Sequence, residues 1–170
     1  AYGVICPMVD NVEQASAFVA ATRYPPHGIR SFGPARGLLY GGADYAAHAD
    51  RTLIRLAMIE TASGLQNVER ICEVDGLDGI FIGPSDLGMA LGRGSSIDPS
   101  DAQVLEAIRR CLTAARRANK HAGIFCPSGV AAARRIGEGF DFVVINSDAN
   151  LLKAALAKET AAARSSEGTR

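Results

Sequence analysis

Glu60 and Asp86 are the two residues whose type and position most directly suggest chemistry. Glu60 directly follows the apolar run at residues 53–59, and Asp86 follows the run at 79–82 after a short turn. Carboxylates are poor strand residues and costly to bury alone, and ligands of α/β proteins gather at the carboxyl ends of parallel strands. Without a neighbouring His or Cys, the pair suits Mg²⁺ or Mn²⁺ better than zinc. The alternative interpretation is that both carboxylates cap the helices that follow.

Two further segments could bind an anionic ligand. In Gly83-Pro84-Ser85-Asp86, the glycine permits close approach of a ligand, and free N–H groups where the next helix begins could bind a carboxylate or phosphate. The loop at residues 30–37 carries two guanidinium groups, those of Arg30 and Arg36, which suit an anionic substrate or a subunit salt bridge. Solvated surface arginines are the alternative.

The lysines and histidines narrow the possible mechanisms. They are Lys120, Lys153, Lys158, His27, His48 and His121. One lysine precedes a strand at the end opposite Glu60 and the other two lie on the last predicted helix, so none is placed for a Schiff base. Two histidines lie in or beside a long loop and the third begins a strand at the wrong end, so we assign no histidine as the general base.

Apolar strands and amphipathic helices alternate along the chain. The strand-like runs are residues 3–6, 53–59, 79–82, 122–126 and 141–145. This alternation predicts an α/β fold with a parallel sheet covered by helices. Five units favour an open, flavodoxin-like sheet, since a (β/α)8 barrel takes about 250 residues. The connection at residues 23–50 is long for such a sheet and predicts a functional loop over a site.

Several helix boundaries and buried faces follow from the pattern. Asp10 with Glu13 predicts a capping box for the first helix, and Asp98-Pro99 predicts the start of a later one. Two later helices, one after Pro127 and one at residues 149–164, are predicted to bury an apolar face. The expected buried residues are Val130, Ala133 and Ile136 in the former and Leu151, Leu152, Ala155 and Leu156 in the latter. Residues 165–170 are predicted to be a polar, disordered tail.

The composition argues against several classes of partner. The 170 residues are 48% hydrophobic, and 18 basic residues balance 18 acidic ones. Without a basic cluster interleaved with aromatic residues, a nucleic-acid partner is not expected, and without an apolar stretch of roughly 18 residues, neither is a membrane span. The four cysteines are too far apart for a C-x-x-C motif. We expect a cytoplasmic protein with a small-molecule partner and buried, reduced thiols.

The motifs together resemble those of the HpcH/HpaI aldolase family, the metal-dependent pyruvate aldolases. The matching segments are residues 3–9 (GVICPMV), 23–31 (RYPPHGIRS), 33–36 (GPAR), 59–61 (IET), 76–87 (GLDGIFIGPSDL) and 147–148 (SD). This resemblance implies a (β/α)8 TIM barrel, of which residues 1–164 would be the last five units. It also implies a hexamer with sites near subunit contacts.

The resemblance further implies a function and a site. Glu60 and Asp86 would bind the divalent cation, Mg²⁺ or Mn²⁺, and the backbone around Ser85 and Asp86 would hold the carboxylate of a 2-oxo acid. The reaction would be the retro-aldol cleavage of a 4-hydroxy-2-oxo acid to pyruvate, or a close analogue, and an aldehyde. Oxaloacetate decarboxylation, citrate-lyase-like cleavage and an inactive truncated relative are the alternatives.

The chain departs from the family pattern in two ways. Family barrels begin well before residue 1, and that earlier part carries the general-base histidine and an arginine that binds pyruvate. As written, the 170 residues are therefore expected to bind metal poorly and to turn over little substrate, as an incomplete sequence or a truncated relative would. Met58 also stands where many members have glutamine, and Asn146 where glycine is usual.

Overall fold

A computed structural model describes residues 1–165 and shows five parallel strands in one sheet. The strands are β1 (Gly3–Cys6), β2 (Ile54–Ile59), β3 (Gly79–Ile82), β4 (His121–Cys126) and β5 (Phe142–Ile145). Their spatial order, β1-β2-β3-β4-β5, follows the chain, whereas a flavodoxin-like sheet has its second strand at the edge. The strand order therefore excludes the flavodoxin-like alternative and fits five consecutive units of a (β/α)8 barrel.

Helices lie between and after the strands, and several of them cover one face of the sheet. They are α1 (Val12–Thr22), α2 (Ala35–Gly41), α3 (Tyr45–Thr52), α4 (Ala62–Gln66), α5 (Val68–Cys72), α6 (Pro84–Ala90), α7 (Ala102–Arg117), α8 (Gly129–Glu138) and α9 (Asp148–Ser165). Within residues 1–165, none of these helices is long and apolar enough to cross a membrane. The tail predicted at 165–170 lies outside the described residues except for Ser165, which ends α9.

Strand alternation divides the sheet into a helix-covered face and an inner face. On β2, Ala57 and Ile59 belong to the buried core that α1, α5 and α7 complete. Because successive side chains of a strand point to opposite faces, Leu56 and Met58 lie on the inner face. By the same alternation Glu60, directly after β2, also belongs to the inner face.

Two predicted helix starts are wrong by one to three residues. Asn11, not Asp10, caps α1, since its side chain accepts a hydrogen bond from the Gln14 N–H at 2.9 Å. The Gln14 side-chain oxygen accepts from the Asp10 N–H at 2.6 Å, so the returning bond goes to the residue before the cap rather than to the cap itself. Helix α7 begins after Asp101, whose carboxylate accepts from two backbone N–H groups of the first turn, rather than at residue 98.

The predicted buried faces of α8 and α9 are also wrong. Val130 is 83% exposed and Ile136 is exposed as well, whereas Ala131, Ala132 and Arg135 face inward on α8. Two alanines let this helix lie close to the sheet, and the buried guanidinium is paired with Glu138 at 2.8 Å. On α9 all four predicted residues, Leu151, Leu152, Ala155 and Leu156, are exposed. An apolar stripe predicts a face but not what covers it.

The long connection after α1 contains α2 and α3 and is fastened at the amino end of β2. Ile29 N–H donates to the Ala20 carbonyl at 2.8 Å, beside the C-terminus of α1. That terminus adjoins the start of β2, because the buried Arg55 side chain donates to the Thr22 hydroxyl at 2.9 Å. The connection therefore lies at the amino end of the sheet, opposite the end that carries Glu60.

Candidate metal and substrate site

The register of β2 and β3 brings Glu60 and Gly83 together. Ile59 pairs with Ile82 at the end of the two strands, so one further step places Glu60 opposite Gly83 on the inner face. This is the carboxyl end of the sheet, where ligands of parallel α/β folds bind. The Glu60 side chain is only 7% exposed. A buried carboxylate at this position needs partners or a ligand.

Gly83 leaves space that a side chain would fill. A Cβ built on Gly83 would lie 2.7 Å from Glu60 Oε2 and 3.2 Å from Glu60 Cβ, closer than atoms can pack without movement. The absence of a side chain at Gly83 therefore allows the Glu60 carboxylate to lie close to the Gly83 backbone. A buried carboxylate oxygen is a hard ligand of the kind that Mg²⁺ or Mn²⁺ prefers.

The two oxygens of Glu60 have different surroundings. Oε1 accepts a hydrogen bond from the Met8 N–H at 2.9 Å, whereas Oε2 faces Gly83. Burial raises the pKa of Glu60 above its ordinary value; the Met8 hydrogen bond opposes this rise, and the charge of Asp86 adds to it. A cation beside Oε2 would favour the ionised form that burial disfavours.

Asp86 lies in the first turn of α6, close enough for its charge to act on Glu60. Its side chain is exposed. The first hydrogen bond within α6 runs from the Leu87 N–H to the Gly83 carbonyl at 3.0 Å, so the N–H groups of Ser85 and Asp86 precede the helical ladder and are directed to the helix end. Pro84 at the first position has no N–H to satisfy.

Glu60 does not cap a helix, as the alternative interpretation required. Helix α4 is capped by Thr61, whose hydroxyl accepts from the Gly64 N–H at 2.9 Å. The Glu60 carboxylate instead accepts a hydrogen bond from the N–H of Met8, two residues after β1. Across residues 1–165, no group of three or more His, Cys, Asp or Glu side chains is placed to hold a metal. A cation here would have two carboxylate ligands and open positions for water and substrate.

The comparisons with known proteins identify the family. The model of the HpcH/HpaI aldolase/citrate lyase family matches residues 1–158. This chain belongs to that family. A hydroxypyruvate/pyruvate aldolase from Rhizorhabdus wittichii is 45% identical over 96% of the chain, and a 4-hydroxy-2-oxovalerate aldolase from Rhodococcus jostii is 39% identical over 95%.

A solved structure of the same family shares the fold. The HpcH/HpaI aldolase/citrate lyase family protein from Burkholderia cenocepacia superposes with a TM-score of 0.85 at 27% identity, over 96% of this chain. The match covers 65% of that protein, and the chain spans 65% and 61% of the two aldolases. The predicted partial barrel is therefore confirmed, and the chain corresponds to somewhat less than two thirds of its relatives.

The structure does not bring Arg36 or a histidine to Glu60. Arg36 is exposed on α2, in the connection that leaves the opposite end of the sheet. His121 begins β4 at that same end, and His48 on α3 pairs with Asp44 at 2.8 Å. His27 lines an open groove of about 490 Å³ beside the C-terminus of α1. Among residues 1–165, none of the histidines adjoins the two carboxylates.

The other arginine of the loop has a structural partner. The Arg30 guanidinium lies 4.5 Å from the centre of the Tyr24 ring and donates to the Tyr45 hydroxyl at 3.3 Å. Lys120 has a backbone partner at the amino end of the sheet: its amino group donates to the Leu77 carbonyl at 2.7 Å, before β4.

Sequence patterns did not reveal Met8 as a partner of Glu60. Its N–H is a backbone group that every non-proline residue has, so residue type carries no signal for it. The departures from the family pattern do have structural positions. Met58 lies on the inner face, with its sulfur 3.5 Å from the position that a Cβ on Gly83 would occupy. Asn146 adopts a left-handed conformation, with φ of 58°, which explains why glycine suits this position.

Proposed function

We propose that this chain forms the metal-binding part of a divalent-metal-dependent aldolase, which cleaves a 4-hydroxy-2-oxo acid to pyruvate, or a close analogue, and an aldehyde. The observation that carries the proposal is the Glu60 carboxylate, buried at the end of β2 with Oε2 facing the space left by Gly83. A carboxylate held in this way, with a second one beside it, is suited to a hard cation rather than to a salt bridge.

Each residue of the site has a proposed role. Glu60 and Asp86 would hold Mg²⁺ or Mn²⁺. When bound, the cation would polarise the substrate keto oxygen and stabilise the negative charge that develops as the carbon–carbon bond breaks. Gly83 admits the substrate to the backbone, Pro84 starts α6, and the N–H groups of Ser85 and Asp86 would receive the substrate carboxylate.

The relatives support the substrate class. Those described above are named for aldol chemistry on hydroxypyruvate, pyruvate and 4-hydroxy-2-oxovalerate, and short 2-oxo acids are common to these names. The chain spans less than two thirds of their length, and the described histidines lie away from Glu60. We therefore propose that the general-base histidine comes from outside the 170 residues.

Arg36 has a proposed role only in an assembly. Its exposed position on α2 keeps it away from Glu60 of the same chain. A homo-oligomer, a hexamer by resemblance to the family, would allow it to bind an anionic substrate at a subunit contact. We propose that such an assembly acts in the cytoplasm.

The experiment uses the full-length protein, including the part that would supply the general-base histidine, and measures pyruvate released from 4-hydroxy-2-oxo acids with Mg²⁺ or Mn²⁺, and with a chelator. We expect release that the chelator abolishes, and a loss of about 100-fold or more in kcat/KM in Glu60→Ala and Asp86→Ala, since each removes a ligand of the cation that would stabilise the transition state. Glu69→Ala is the matched control, because Glu69 pairs with Arg110 at 2.8 Å on the outer surface. Undiminished release in the first two variants would refute the proposed site, and faster turnover of oxaloacetate than of any hydroxy-oxo acid would favour decarboxylation.

A further inference from the structure

Glu60 is held by a backbone group in an unusual conformation. Met8, which donates its N–H to Glu60 Oε1, has φ of 56°, in the left-handed region. Non-glycine residues adopt this conformation only when surrounding contacts impose it. The Met8 side chain is 56% exposed, so packing of that side chain is not the main constraint. Contacts of its neighbours must hold the Met8 N–H in place.

Those contacts join the segment after β1 to the end of β2 and to the residues that follow it. Val9, whose side chain is buried, donates its N–H to the Met58 carbonyl at 3.2 Å. The hydroxyl of Thr61 donates to the Asp10 carboxylate. The Asn67 side-chain amide donates to the Asp10 carbonyl at 2.8 Å. Hydrogen bonds thus hold the segment after Met8 to the chain just before and just after Glu60.

The Asp10 carboxylate hydrogen-bonds to Thr61 and does not cap a helix. The N-cap of α1 is Asn11, so Asp10 is not needed for that purpose, and Oδ1 of its carboxylate accepts from Thr61 instead. Thr61 in turn is the residue directly after Glu60. Its hydroxyl also accepts from the Gly64 N–H, so it is fixed both as donor and as acceptor.

We propose that Asp10 and Thr61 are positioning residues for the Glu60 carboxylate, and that their hydrogen bond keeps Met8 on Oε1 so that Oε2 alone faces the cation. The proposal rests on the metal site proposed above. Without this hydrogen bond the segment after β1 can move away from β2, and the Glu60 side chain gains rotational freedom. Metal affinity falls because the ligand is no longer preorganised.

The experiment measures the Mn²⁺ dissociation constant and the electron paramagnetic resonance spectrum of bound Mn²⁺. We expect Asp10→Ala and Thr61→Ala each to weaken binding about 10-fold or more, as loss of groups that orient metal ligands does. The double variant should bind no more weakly than the weaker single variant, because both remove one interaction. Thr61→Ser, which keeps the hydroxyl, should restore affinity and spectrum.

Ser128→Ala is the matched control. Ser128 caps α8 through its side chain, as Thr61 caps α4, so both alanine variants lose an N-cap and should unfold at a lower temperature than the wild type. Only Thr61→Ala should lose Mn²⁺ affinity.

Two negative outcomes can be told apart. Binding lost in Glu60→Gln but within twofold of wild type in Asp10→Ala and Thr61→Ala would overturn the positioning role and leave the metal site standing. Equal loss of affinity in Ser128→Ala would also overturn it, since capping alone would then explain the effect. No Mn²⁺ binding by the wild-type protein, or binding that Glu60→Gln does not change, would overturn the proposed metal site and the positioning role with it.

Discussion

The substitution Gly83→Ala tests whether free space beside Glu60 is required. The added Cβ would lie 2.7 Å from Glu60 Oε2, so the carboxylate must move. The backbone φ of Gly83, −96°, is one that alanine adopts readily, so backbone strain does not contribute to the effect. The expected change is therefore local to Glu60 and the space that Gly83 leaves.

The magnitude follows from the contact that the moving carboxylate would lose. Displacement of Oε2 turns Oε1 away from the Met8 N–H, which it now accepts from at 2.9 Å. A hydrogen bond to a charged group contributes about 1.5–3 kcal/mol, which corresponds to a roughly 10- to 150-fold change in an equilibrium constant. We expect Mn²⁺ affinity to fall by that factor and pyruvate release to fall with it.

Isothermal titration with Mn²⁺ measures this effect, and Gly137→Ala is the control. Gly137 lies in α8, and a Cβ there meets no atom within 4 Å. That variant should keep its metal affinity and be as stable as the wild type or up to about 1 kcal/mol more stable. Wild-type affinity in Gly83→Ala would refute the reasoning, because it would show that the space beside Oε2 is not used.

Two further predictions concern stability in the absence of metal. Burial raises the pKa of Glu60 above 4.5, so between that value and the raised pKa the folded protein holds the proton more tightly than the unfolded chain, and stability falls as pH rises. Glu60→Gln should therefore be more stable than wild type near pH 8 and lose that advantage below pH 4.5 in thermal unfolding; an advantage independent of pH would contradict the shift. At Asn146, with φ of 58°, urea unfolding should give Asn146→Ala a free energy of unfolding about 1–2 kcal/mol lower than that of Asn146→Gly, since the left-handed conformation strains alanine but not glycine. An equal loss of stability in the two variants would show that the side-chain bonds to Pro127 and Ser147 dominate.

The sequence was sufficient to place the strands and the two carboxylates. A run of four or more apolar residues marks each of β2 and β3, and each observed strand lies within one residue of its predicted bounds. Proximity of Glu60 to Gly83 depends on the pairing of Ile59 with Ile82. That register is a property of the sheet, not of either segment alone, so the sequence predicted the ends of the strands but not the contact.

Local competition and missing context account for the errors. Asp10 and Asn11 are both good N-cap residues, and the sequence does not show that the Asp10 carboxylate bonds to Thr61, 51 residues away. For α9, the leucine spacing predicts an apolar face, but burial depends on another surface, and the described α9 side chains through residue 164 are all exposed. A sequence pattern within one helix or strand predicts that element better than it predicts the surfaces that pack against it.

The central claim is that Glu60 and Asp86 together hold a divalent cation. The most direct measurement is anomalous X-ray diffraction from crystals of the protein soaked in Mn²⁺. We predict an anomalous peak within coordination distance, about 2.0–2.3 Å, of Glu60 Oε2 and of an Asp86 carboxylate oxygen. Full occupancy at another position, or no peak beside Glu60 at a Mn²⁺ concentration that supports pyruvate release, would contradict the claim.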